Sequence, residues 1–166
     1  MTPAQRLFDG GPLRLLPVAI REPRRAWLAI LVGGALTLCG SLLLSWIASL
    51  LAPDLAKPDF PLRGPLAFAM LVGFAPVVET LIMAAVLSLL ARVMAPTAAV
   101  LVSALGWGIA HSLQAVGWGL VIWWPFLVFS TLFMVWRQRG TMAGIAVAAA
   151  THALQNLAPA LAIATR

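Results

Sequence analysis

Charge is what this chain has least of. Asp, Glu, Lys and Arg make up 10% of its 166 residues, against 62% hydrophobic, and the mean hydropathy is +0.99. A soluble domain of this length needs far more charge to cover its surface. The composition therefore excludes that class and points to a multi-spanning membrane protein, one domain in length. Cysteine is almost absent too: the single one, Cys39, sits in an apolar run, which excludes a disulfide framework and a Cys-type zinc site. There is no internal repeat, no low-complexity segment and no His-Glu-x-x-His signature of a zinc peptidase.

The charge that is present is skewed, with a net value of +6. Arg6, Arg14, Arg21, Arg24 and Arg25 all precede the first long apolar run. Without a soluble surface these residues do not make a nucleic-acid site; they read as a juxtamembrane basic segment facing anionic lipid. Residues 1–25 form this segment, broken by Gly10-Gly11 and by Pro3, Pro12, Pro17 and Pro23. Its apolar piece, 13–20, is too short to span and is expected to lie at the interface.

Five helical spans are expected, because lipid admits only helices or closed barrels and the apolar runs are too long for barrel strands. The first, 26–52, reads as an uncleaved signal anchor, too long for the apolar core of a signal peptide. After a proline-rich loop at 53–65 come spans at about 66–92, 97–116, 118–136 and 141–164. Trp27 and Trp46, like Trp118 and Trp136, flank their spans as interfacial aromatics do. With the N-terminus inside, Arg92, Arg137 and Arg139 join the five N-terminal arginines, leaving Lys57, Arg63 and Arg166 outside. That eight-to-three bias predicts a cell-membrane protein, inner or plasma, with a cytoplasmic N-terminus and an extracytoplasmic C-terminus.

Within the spans stand four conspicuous polar residues: Glu79, His111, His152 and Asn156. A lone intramembrane His or Asn can serve only to hydrogen-bond helices together, but a carboxylate in hydrocarbon needs a stronger reason. At ~1.5 Å per residue Glu79 lies roughly 20 Å from Arg92, and His111 roughly 21 Å from Thr97. His152 and Asn156 lie roughly 17 and 22 Å from Thr141 by the same rise. Helices of alternating direction thus bring the four to one depth. His152 and Asn156, four apart, face one neighbour; His111 and Gln114 are expected to share a face, with Trp107 stacked below His111. Such a set suits hydrolysis: the carboxylate takes a proton from water, one imidazole holds that water, and the remaining donors stabilise an oxyanion. Gln155 reads as lying on another face, as glue, and Thr151 and Ser112 as structural. Gly33-Gly34 and Gly106/Gly108 read as close-packing positions.

These residues resemble the CAAX-protease and bacteriocin-processing intramembrane proteases, the Abi family. Its motifs run Glu-Glu-x-x-x-Arg, Phe-x-x-x-His and His-x-x-x-Asn on successive helices. Here the second and third read Trp107-Gly-Ile-Ala-His111 and His152-Ala-Leu-Gln-Asn156, and the lead-in from Arg139 to Gly144 is similar as well. The first reads Ala75-Pro76-Val-Val-Glu79-Thr80, with Thr80 for the second glutamate and Ala84 for the arginine. The resemblance covers about residues 72–158. It implies a four-helix protease core within 66–164, preceded by the first span, with Glu79, His111, His152 and Asn156 catalytic. His152 and Asn156 would be the oxyanion donors. The implied partners are the bilayer and a protein or peptide cleaved near the membrane; the oligomeric state is left open.

Alternatives follow from the same residues. Zinc on Glu79, His111 and His152 is one variant, with a metal-free mechanism preferred. A Glu/His proton relay is another, disfavoured by the clustering at one level. A third is a scaffold or self-immunity protein disabled by the altered first motif.

Overall fold

The structure, a computed structural model, describes residues 7–56 and 58–165. Arg6, Lys57 and Arg166 of the charge count fall outside them. The protein is all-helical, 80% helix, with no strand among the described residues. A short helix α1 (Val18–Arg21) leads into α2 (Ala26–Leu51). The next helix is continuous but composite: α3 (Gly64–Ala69), a π turn (Met70–Phe74) and α4 (Ala75–Leu90). Then follow α5 (Pro96–Ser112), α6 (Val116–Trp136) and α7 (Thr141–Ala164). Four helices are long and apolar enough to cross a membrane: Ala26–Leu51, Gly64–Leu90, Val116–Arg139 and Thr141–Ala164. The expected third span is the shorter one. α5 has 17 residues and stops at Ser112, short of the expected 116.

Short turns at 91–95, 113–115 and 137–140 make α4 to α7 antiparallel neighbours. Gly140, at φ 124°, supplies the positive dihedral that reverses the chain before α7. α6 is the central element, packed against α5, α7 and α2, and 72% of its most apolar window is buried. The other three spans bury 28–33% and turn rows of Leu, Ile and Val outward, as lipid-facing helices do.

Close approach of backbones holds the bundle together, since lipid offers no hydrophobic drive between helices. A Cβ at Gly33 would stand 2.8 Å from Thr151 Cγ2, and one at Gly34 2.5 Å from Leu154 Cδ2, so α2 rests directly on α7. Gly108 and Gly119 bring α5 and α6 together, and a Cβ on Gly119 would run into Ser112 Oγ and the Gly108 carbonyl. Gly106 differs from the expectation. Nothing lies within 4 Å of its added Cβ, because it points away from the crossing.

One further reading is sharpened and two are corrected. The 13–20 piece packs one face into the bundle: Leu13 and Ile20, with Phe8, are buried in the core and α1 packs on α2 and α6, while Leu15 and Val18 stay exposed. Arg21 holds it there, its Nε donating to the Leu16 carbonyl at 2.8 Å and its guanidinium pairing with Asp9 at 3.0 Å. Trp136 is 5% exposed and so no interfacial aromatic, and Trp118 faces inward, whereas Trp27 and Trp46 are each 60% exposed. Gln114 lies exposed in the turn beyond α5 and shares no face with His111, because the helix ends first.

Candidate functional site

A cavity of about 540 Å³ opens between α2, α4, α5, α6 and α7, and Glu79, His111, His152 and Asn156 all line it. Each arrives on a different turn of its helix. Glu79 sits one turn into α4, His111 in the last turn of α5, and His152 and Asn156 midway along α7.

His152 Nε2 lies 3.9 Å from Glu79 Oε2. That exceeds a direct hydrogen bond. A water at ~2.8 Å from each atom would see the pair at an angle of about 90°, so one molecule can touch both. The His152 ring stacks on Phe129 at 4.5 Å and 23°, with Phe126 edge-on at 5.5 Å. Its Nδ1 is buried without a hydrogen-bond partner. The proton of a neutral ring therefore belongs on Nε2, which faces the carboxylate across the space for that water.

His111 is oriented the other way. Its Nδ1 lies 2.9 Å from the Trp107 carbonyl, which can only accept, so Nδ1 carries the hydrogen and Nε2 keeps a lone pair. Trp107 thus supports His111 through its backbone, while its ring stacks on Phe126 at 4.3 Å. The Trp118 ring meets His111 edge-on at 4.5 Å. One imidazole offers a donor and the other an acceptor to the same space.

Asn156 Nδ2 donates to the carbonyl of Leu71, in the π turn, at 2.9 Å. One of its two amide hydrogens is therefore committed. Gln155 was misjudged from the sequence: it lines the same cavity, 7% exposed, with Oε1 unpartnered. Its position three residues after His152 is the spacing that would have put it there. Ser41 of α2 also lines the cavity with an unpartnered hydroxyl, and no pattern in the sequence singles it out. Thr151 and Ser112 do bond back to their own helices, to Val147 and Gly108.

Thr80 and Ala84, where the family motif has its glutamate and arginine, are 1% and 5% exposed. Charges at those positions would be buried, so such a pair must be present or absent together. Among the described residues no three His, Cys, Asp or Glu are grouped to hold a metal ion. Glu79, His111 and His152 share the cavity without forming a zinc ligand set.

Comparison with family models, with curated proteins and with solved structures returns no match for this chain.

Proposed function

We propose that this chain is an intramembrane endopeptidase of the CAAX-protease and bacteriocin-processing type, cleaving a membrane-associated protein or peptide. The observation that carries the reading is the Glu79–His152 approach of 3.9 Å in a cavity that His111 also lines, inside an apolar bundle. The water that attacks the scissile carbonyl carbon gives its proton to Glu79 and offers its other hydrogen to the His111 Nε2 lone pair. The carbonyl oxygen gains the electron pair and is held by His152 Nε2–H. Collapse of the tetrahedral species breaks the C–N bond, and Glu79 returns the proton to the leaving amine. A cavity with few waters strengthens each of these interactions. No step in this reading needs a metal, so the expected outcome of exhaustive chelation is unchanged turnover.

In this reading the protein lies in the cell membrane with five spans, N-terminus in and C-terminus out. α5 counts as the short span: its 17 residues reach ~25 Å, carry no Asp, Glu, Lys or Arg, and expose Leu105 and Ile109 outward. Arg14, Arg21, Arg24, Arg25, Arg92, Arg137 and Arg139 then share the cytoplasmic end. The experiment is a comparison of membrane and released peptides from cells carrying wild-type protein or Glu79→Gln. A peptide pair that appears only with wild type supports the reading; identical peptide sets replace it with a scaffold or immunity role.

A further inference from the structure

The π turn before α4 and the Asn156 side chain explain each other. In that turn the Ala75 N–H donates to the Met70 carbonyl, five residues back instead of four. The next donor in the π register would serve Leu71, but residue 76 is proline and has no N–H. In an ordinary α register Ala75 would serve Leu71, and that hydrogen is already spent on Met70. The Leu71 carbonyl is thus left without a backbone donor in an apolar bundle, where an unsatisfied group is costly. Asn156, reaching from α7, provides the missing hydrogen at 2.9 Å.

The consequence lies three residues further on. A π turn adds about one residue to a turn, which rotates the following helix by roughly 100° relative to the preceding one. Glu79 stands one turn after it, on the α4 face that meets His152. α3, the π turn and α4 all pack on α7, so a bond between α7 and the π turn fixes both rotation and depth.

We infer that Asn156 is a positioning residue: through the Leu71 carbonyl it holds the Pro76 π turn, and thereby aims Glu79 at His152. This rests on the peptidase reading and revises one part of it, since Asn156 acts on the carboxylate's placement instead of on the reacting oxygen.

The test is a double-mutant cycle with Pro76→Ala, which restores a backbone N–H that can satisfy Leu71. Asn156→Ala alone lowers both turnover and Tm. Added to Pro76→Ala, it lowers neither further, because the carbonyl no longer depends on the side chain. A second measurement needs neither substrate nor the proline variant: the ¹⁵N resonance of His152 Nε2 in the substrate-free protein. Asn156→Ala shifts it toward its position in Glu79→Gln, since in both variants the carboxylate is withdrawn. An oxyanion donor would behave otherwise. Its loss would cost roughly a hundred- to a thousand-fold in rate in both backgrounds and leave the substrate-free His152 resonance in place; that result overturns the inference. Failure of wild-type protein to cleave anything removes the peptidase reading alone, because the resonance and the Tm cycle still decide how Asn156 acts.

Discussion

α6 contains two different proteins in one helix, divided at Pro125. From 125 to 136 every residue is buried; from 116 to 124 only Gly119 and Val121 are. Around the first stretch the bundle is dry, filled by Phe129, Leu132, Phe133 and Val135 with Met83 and Leu87 of α4. Its hydroxyls are satisfied: Ser130 and Ser103 lie 3.1 Å apart, and Thr131 bonds the Leu127 carbonyl. The Trp136 indole N–H is an exception, as is the Thr80 hydroxyl on α4, which does not line the cavity. The other half surrounds the cavity. There the helices carry the π turn with Pro76 and the internal Pro159, and Ser41 Oγ, His152 Nδ1 and Gln155 Oε1 lack protein partners. Each such group costs about 1–3 kcal/mol. One half carries the stability that the other half draws on to keep polar groups ready in an apolar interior.

That division can be broken from either side. The largest effect is expected in the dry half. Phe133→Ala removes a fully buried ring and should cost about 3–5 kcal/mol, read as a fall in unfolding midpoint in detergent. An effect under ~1 kcal/mol would mean that the packed half is not the source of stability. At the α5–α6 crossing, Gly119→Ala forces the Cβ into Ser112 and Gly108, and the cost is about 1–3 kcal/mol. Gly106→Ala is its control. With open space around it, that change should stabilise by up to ~1 kcal/mol through helix propensity. Equal effects at the two glycines would contradict the crossing. The smallest change concerns Thr80, whose buried hydroxyl has no partner. Thr80→Val keeps the shape and should be neutral to stabilising by about 1 kcal/mol, with turnover unaffected. A collapse of turnover would give Thr80 a role in the chemistry.

The sequence showed the architecture through length and periodicity. α2 and α7 fall where their apolar runs fall, and the rise per residue already set Glu79, His111, His152 and Asn156 at one depth. What it concealed depends on contacts between distant segments. The N-terminal piece reads as interfacial because eight apolar residues cannot span, yet a bundle end with room beneath α6 takes Phe8, Leu13 and Ile20 into the core. Trp136 has the position of an interfacial aromatic, yet it is packed into the buried core cluster. The commitment of Asn156 was invisible because a π turn leaves no composition signature. Only the coincidence of Pro76 with a donor on another helix reveals it.

The central claim is that the cavity half is chemical and the dry half structural, with Glu79 at the reacting end. Its most direct test is Glu79→Gln in purified protein in detergent or vesicles, at matched expression. Turnover of a substrate identified by the peptide comparison, and the unfolding midpoint, are measured on the same samples. The account predicts loss of turnover to background with the midpoint unchanged or raised, since the variant removes a half-buried charge from an apolar bundle. Full turnover by Glu79→Gln, or loss of turnover only in step with a loss of folding, would contradict it.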